Sequence, residues 1–514
     1  MRSRVRLEAA AGQRRAESVG LAEQVSAVVM SRAPLALTRS PFRQVGWRRV
    51  ALGMKGACRK ARVLCLVFAD RMLKAVKEVE MGNYLICSTP VQGHVTPMLT
   101  MAADLVGRGH SVRMLTGRAF EDRVAASGAL FEPLPAECDF DERDLDGAFP
   151  GRWEKKGLDR FRFDLEHIFF DTAPGQTRVM RELMAAEPVD AVLIDIGFGG
   201  ALPLLLAGPE DRPPIIRAGI TPLLFSSRDT APYGFGKPPS SSPVGRLRNR
   251  ALNAVTRRMF ASSHRYANAM LRAQGVGKLP VFMLDATLLC DRYLQFCCPS
   301  FEYPRSDLPP HLSFVGPIQP SPPASFVPPA WWEDLDGGRP VVHVTQGTVD
   351  NLDLGRLVGP TLQALADRDV LVVATTGGRP AAEIPVPLPA NARVAEFIPY
   401  AELLPRTSVM LTNGGYGGVQ QALAYGIPLV VAGDSEDKPE VAARVAWSGT
   451  GINLRTGQPD PAAVRQAVDS ILATDTYRRA AQGMAAEIAN TAPLEALADA
   501  LATVSPRPQP VARP

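Results

Sequence analysis

No stretch of this sequence approaches the roughly 20 consecutive apolar residues needed to span a bilayer. The longest apolar run in its basic N-terminal region, Val63–Ala69, is too short for a secretory signal core. Seven cysteines, at 58, 65, 87, 138, 290, 297 and 298, never fall into the C-x-x-C spacing of zinc or redox sites, and an odd number closes no disulfide framework. These absences predict reduced thiols in a cytoplasmic protein, with Cys297 and Cys298 as core residues at a strand end. A G-x-S-x-G elbow is missing, which argues against Ser-His-Asp hydrolysis. No G-x-G-x-x-G turn follows a strand in the first half, which disfavours a dinucleotide oxidoreductase. Asp-x-Asp pairs occur at Asp139/Asp141, Asp144/Asp146 and Asp334/Asp336. All three lie in charge-rich stretches and read as solvated loops, so no metal or other cofactor is expected.

The 514 residues exceed what one compact core holds, and with 46% hydrophobic and 21% charged residues they predict two globular domains plus appendages. Charge is unevenly distributed. Residues 1–80 carry 17 Lys and Arg against 6 Asp and Glu, leaving 40 basic and 46 acidic residues for the rest, so the body gives no reason to expect nucleic acid as a partner. A fold pattern starts abruptly at Met81. Residues 1–80 therefore read as a dispensable, disordered extension or an upstream start, with a targeting presequence or a basic surface arm as alternatives.

From Tyr84 short apolar runs alternate with amphipathic ones. Strands are predicted at 84–88, 111–115, 191–195 and 214–218, and helices at 98–108 and 120–127, a rhythm that implies a parallel sheet covered on both faces. Residues 153–187 and 246–273 read as long helical stretches. The first carries Phe161, Phe163, Phe169 and Phe170 among many charges; it suits an apolar ligand cleft, a membrane surface, or plain packing on the core. Residues 317–329 hold six prolines in 13 positions, the mark of an extended connector. The alternation then restarts, with strands at 341–345, 370–375, 393–396, 409–412 and 429–432 and helices at 354–366 and 417–425. The sequence thus predicts a basic extension (1–80), a first α/β domain (81–316), a Pro-rich linker (317–338), a second α/β domain (339–503) whose last helix crosses back to the first, and a disordered tail (504–514). Two such halves face each other across a cleft at the carboxyl ends of their strands, where ligands of these sheets bind.

The most informative segment is LTNGGYGGVQQALAYGIPLVVAGDSEDKPEVAARV, residues 411–445. A buried strand ends at Thr412, and Gly414, Gly415, Gly417 and Gly418 open a helix there. Glycines let a backbone approach a ligand closely, and free N–H groups at a helix start favour an anion such as a diphosphate; tight strand–helix packing is the other use of such glycines.

This segment resembles the nucleotide-sugar signature of family 1 glycosyltransferases, the UDP-glycosyltransferase superfamily with the GT-B fold, and in particular bacterial natural-product and lipid glycosyltransferases. Three more motifs occur in the family's order: GHVTPMLTMAADLVGRGHSV (93–112), RPVVHVTQGTV (339–349) and FIPYAELLPRTSVMLTNGG (397–415). The resemblance implies His94 as general base and Asp195 as the carboxylate behind it; a histidine poised near neutrality suits proton removal from an attacking hydroxyl. It also implies that Thr348 and the Gly414–Gly415 backbone hold the diphosphate, and that Phe397 stacks on the base where the family has Trp. Gln421 would hold the ribose, and Asp437 with Lys438 the sugar hydroxyls. Asn413, Lys438, Tyr400 and Gly418 depart from the family's His, Gln, Gln and Ser. Asn413 can still donate to a phosphate, and Lys438 adds a cation that could compensate for the lost histidine. The implied partners are a nucleoside-diphosphate sugar and a small apolar or lipid acceptor, with peripheral membrane contact at most. The implied reaction is inverting hexosyl transfer without a metal; an inactive sugar-nucleotide-binding auxiliary partner and a nucleotide-sugar epimerase are the alternatives.

Overall fold

The computed structural model describes residues 81–320, 326–348 and 350–504. The predicted extension and tail lie outside them, apart from Val504. Two all-parallel sheets carry the fold. The first contains β1 (Asn83–Cys87), β2 (Ser111–Thr116), β3 (Leu130–Pro133), β4 (Ala191–Asp195), β5 (Ile215–Gly219), β6 (Arg292–Gln295) and β7 (Leu312–Phe314), in the order β3-β2-β1-β4-β5-β6-β7. The second contains β8 (Val341–Thr345), β9 (Leu371–Thr375), β10 (Ala392–Ala395), β11 (Val409–Thr412), β12 (Leu429–Val431) and β13 (Gly451–Asn453), ordered β10-β9-β8-β11-β12-β13. Strands such as Ala191–Asp195 and Val409–Thr412 are buried at every position, because helices cover both faces. Strand order reverses between β1 and β4 in one sheet and between β8 and β11 in the other, opening a crevice at each carboxyl edge.

Several elements differ from the sequence expectation. The first helix begins at Gln92 and not at 98, running to Gly107 through Pro97. Its start is set at long range: the Glu142 carboxylate accepts the Gln92 N–H at 2.7 Å, a capping group supplied 50 residues away. The 153–187 stretch is not one helix but a helical turn (Gly157–Phe163), a π-helical turn (Asp164–Phe170) and a helix (Ala173–Ala186). Residues 246–273 fall in two consecutive helices, Pro243–Met259 and Ala261–Ala273, kinked at Phe260, whose N–H and C=O still bond Thr256 and His264 on either side. The five described cysteines are free thiols; Cys297 and Cys298 are fully buried just beyond β6. Each Asp-x-Asp pair is engaged by arginine: Asp139 by Arg118, Asp141 by Arg143, Asp146 by Arg152, Asp334 by Arg393 and Asp336 by Arg406.

The halves are joined by more than the linker. Cys297, Cys298 and Phe301 complete a core built from Tyr416, Leu423, Val441 and Val445 of the second domain. In return the last helix, Pro493–Thr503, inserts Leu497 and Leu501 between Val95, Met98 and Leu105 of the first. A buried polar network lies between them. Arg444 donates to Glu302 at 2.5 and 2.9 Å and to Glu440 at 2.8 Å, while Glu440 accepts the N–H groups of Gly234 and Gly236 at 2.8 and 2.7 Å. Glu302 also accepts the Leu223 N–H, and the Tyr303 ring lies 4.2 Å from the Arg444 guanidinium.

Truncating one member of a buried charged network leaves the other uncompensated, at a cost of about 3–5 kcal/mol. Glu302→Gln should therefore lower the melting temperature in calorimetry, whereas Arg465→Ala, which breaks only the surface pair with Asp367, should leave it in place.

Candidate active site

Both sequence-predicted catalytic side chains stand at the first crevice. His94 lies in the first turn of the helix after β1, and Asp195 ends β4, the adjacent strand. The His94 Nδ1 sits 3.2 Å from Asp195 Oδ1, with the histidine side chain 18% exposed and the aspartate fully buried. Asp195 is held from all sides: its carboxylate accepts the N–H of Thr89 at 2.6 Å and of Gly197 at 2.5 Å, and the Ser88 hydroxyl at 3.1 Å. Burial would raise the Asp195 pKa, but His94 and these donors hold it below the usual 3.8. Burial pulls the His94 pKa down, yet the Asp195 carboxylate, helped by Asp437 and Glu142, leaves it above the ordinary 6.5. With Nδ1 facing Asp195, Nε2 is the nitrogen free to take a proton. Burial pushes Glu142 up to about 7 and Asp437 up to about 6.

Phe169 is a neighbour that sequence reasoning placed only as one of four aromatics. A Cβ at Gly197 would lie 2.8 Å from the Phe169 ring, 3.1 Å from His94 Cε1 and 3.2 Å from the Thr89 hydroxyl, so the three side chains meet over this glycine. The π-helical turn aims Phe169 there, while Phe161 packs on Phe260 at 5.7 Å, Phe170 enters the core, and Phe163 lies on the partly exposed His167 at 4.3 Å.

The second crevice gathers the other predicted residues at the ends of β8, β10, β11 and β12. Gly414 has φ +94°, and a Cβ there would approach Val431 to 2.8 Å, so glycine is required. Gly415 precedes the helix Tyr416–Ala424, and Gly415 and Gly417 face open space, leaving room beside the helix start. Gly418 and Gln421 lie on the same helix, Gln421 half-buried. Thr348 is half-buried in the loop after β8, and Phe397, beyond β10, is 64% exposed beside Gly378.

Three of these side chains have partners that the sequence did not show. Lys438 is held inside the protein by acidic neighbours. It is 4% exposed, and its ammonium pairs with Glu436, donates to the Ser435 hydroxyl at 3.2 Å and lies 3.6 Å from Asp350, because an ammonium taken out of water must be compensated. Asn413 spends one amide hydrogen on the Gln346 carbonyl at 2.5 Å, tying the end of β11 to that of β8. Tyr400 turns its ring onto the buried His343, centroids 5.8 Å apart, and supports the site from beneath; burial raises its pKa to about 12. Asp437, by contrast, precedes the helix Lys438–Trp447, and its charge reaches His94.

Over 400 residues, 77% of this chain and 93% of the relative, the sequence is 44% identical to 4'-demethylrebeccamycin synthase of Lentzea aerocolonigenes. The chain belongs to the family 1 glycosyltransferases. It is a glycosyltransferase of the UDP-glycosyltransferase type, moving a sugar from a nucleotide sugar to an acceptor. UDP-glucosyltransferase A1 of Starmerella bombicola is 35% identical over 432 residues, covering 82% of this glycosyltransferase and 92% of its own length. Residues 360–503 match the family described as Erythromycin biosynthesis protein CIII-like, C-terminal domain. Among solved structures, the kitacinnamycin glycosyltransferase superposes with a TM-score of 0.64 at 22% identity, covering 83% of this chain and 99% of its own. The calicheamicin glycosyltransferase CalG4 gives 0.60 at 22% identity, covering 84% and 100%. These establish the GT-B architecture. No helix among the described residues of this glycosyltransferase is long and apolar enough to cross a membrane.

The crowding over Gly197 gives a direct test. Gly197→Ala would press a methyl group against His94 and Phe169 while leaving the second crevice untouched. Turnover should fall by about 10²-fold, the cost of a misplacement near 1 Å, with nucleotide-sugar affinity by titration calorimetry unchanged.

Proposed function

We propose that this glycosyltransferase transfers a hexose with inversion to a hydroxyl of a small apolar acceptor, with His94 as general base. The observation that carries this reading is the His94–Asp195 contact at the switch point of the first sheet, with His94 Nε2 free and Phe169 beside it. The acceptor oxygen attacks the anomeric carbon as its proton passes to Nε2. The new C–O bond forms on the face opposite the breaking bond to the phosphate oxygen, and the nucleoside diphosphate leaves with the electron pair. Asp195 stabilises the imidazolium, which its buried carboxylate can do because Thr89 and Gly197 N–H groups keep it ionised.

At the second crevice, Phe397 stacks on the base and Gln421 bonds the ribose. Thr348, the Gly414–Gly415 backbone and the start of helix Tyr416–Ala424 hold the diphosphate. Asp437 accepts from the sugar hydroxyls, and Lys438 fixes the loop that presents it. Because the departing charge is met by helix and loop N–H groups, transfer needs no metal, and EDTA should leave the initial rate unchanged. Phe169 gives the acceptor an apolar face. The relatives' names, a rebeccamycin synthase and a demethyllactenocin mycarosyltransferase among them, support acceptors of natural-product type.

Release of nucleoside diphosphate from the donor only when a hydroxyl acceptor is added tests transfer against an auxiliary binding role and against epimerisation. His94→Ala should lower kcat by about 10²- to 10⁴-fold with donor binding intact; wild-type turnover in this variant would defeat the assignment. The base must be neutral to accept a proton, so kcat/KM should fall on the acid side with an apparent pKa above 6.5. In Asp195→Asn the stabilising carboxylate is lost while burial remains, so that limb should move to lower pH as the plateau rate drops.

A further inference from the structure

We propose that the kinked helix pair Pro243–Met259 and Ala261–Ala273 is a docking surface for an anionic phospholipid bilayer. Between Asp229 and Asp285 the chain runs 55 residues without one Asp or Glu while carrying nine Lys and Arg. With 52 acidic residues in 514, a stretch of that length would ordinarily hold about six. The rest of residues 81–514 has 31 basic against 46 acidic residues, so the positive charge of an acidic body is concentrated here.

Little of that charge is used internally. Arg246 pairs with Asp229 and Arg257 with Asp285, while Arg248 donates only to neutral oxygens of Asn249 and Pro238. Arg250, Arg258, Arg265 and Arg272 are exposed, and none forms a side-chain hydrogen bond or ion pair among the described residues. The first helix of the pair buries Gly245, Asn249 and Thr256 on its inner face. On the opposite face Val244, Leu247 and Val255 are 78%, 68% and 51% exposed, and with Ala251 and Arg258 they follow the i, i+3, i+7, i+11, i+14 spacing of one stripe. Arg248 and Arg250 flank it. An apolar stripe set among arginines is the composition of a helix lying in the headgroup region, where branched side chains enter the acyl boundary and guanidinium groups meet lipid phosphates. Nucleic acid would use the arginines but leave Val244 and Leu247 in water, so the bilayer is the better fit.

The kinked pair also adjoins the first crevice. Phe260 packs on Phe161, Arg162 donates to the Met259 carbonyl, and Ser263 donates to Glu166, all on the segment that delivers Phe169 to His94. Docking is argued from charge and exposure alone; that it would supply an apolar acceptor from the bilayer rests on the acceptor reading above.

Cosedimentation of the full chain with phosphatidylcholine vesicles, with and without phosphatidylglycerol, tests the proposal. The wild type should bind the anionic vesicles, release at high salt and ignore the neutral ones. Arg250→Ser with Arg258→Ser should weaken the partition coefficient about 30-fold, and Val244→Ser with Leu247→Ser by at least about tenfold. Melting temperature and transfer to a water-soluble acceptor should match the wild type in both. Should the first pair fail to fold, Arg265→Ser with Arg272→Ser takes its place with the same expected direction. Because the variants keep residues 1–80, anionic-vesicle binding equal to wild type would assign the affinity elsewhere and overturn the proposal. Salt-insensitive binding to neutral vesicles, or preference for duplex DNA that survives Leu247→Ser, would do so too.

Discussion

The active cleft exists because Arg444 is neutralised from both sides. Its guanidinium, almost entirely out of water, meets Glu302 from the first domain and Glu440 from its own helix, and Glu440 in turn orders the backbone at Gly234 and Gly236. A charge buried this deeply is tolerable only when every partner is present, so the network ties the relative placement of the domains to its own completeness. The helix that carries Arg444 begins directly after Asp437. The same helix therefore sets the distance between halves at one end and presents a carboxylate toward His94 at the other.

The chemistry then follows from topology. Each sheet reverses strand order once, and at each reversal the loops splay and expose helix starts and strand ends. His94 and Asp195 flank one reversal, and Thr348 and the Gly414–Gly415 turn flank the other. Neither set has to reach far. Short connections from rigid strands fix the side chains, so that His94, with two backbone N–H groups and a hydroxyl, holds Asp195 ionised in a fully buried position.

Much of this was legible in the sequence because continuously buried strands are continuous apolar runs: 191–195, 341–345 and 409–412 match residue for residue. The strands β3 (LFEP), β6 (RYLQ), β7 (LSF) and β13 (GIN) were not legible, since polar residues, glycine or proline interrupt them and leave no continuous apolar run. The start of the first helix was hidden because Pro97 suggested a later one and the capping Glu142 lies far away in sequence. Within the site, residue identities were readable but side-chain partners were not. Nothing in the order Ser435, Glu436, Asp437, Lys438 says that the lysine folds back onto Glu436 and Asp350, nor that Asn413 bonds a carbonyl of the neighbouring loop. Phe169 was one phenylalanine among four until the π-helical turn distinguished it, and such a turn leaves no periodic signature.

The return of the last helix to the first domain has a mechanical consequence. The chain passes between the domains twice, once through the connector before β8 and once ahead of Pro493, and the second crossing is anchored by Leu497 and Leu501. A body held by one tether can swivel freely, whereas one held by two can turn only about the line that joins them. Rotation of one domain against the other is thereby confined to a single axis, like a door on a pair of hinges.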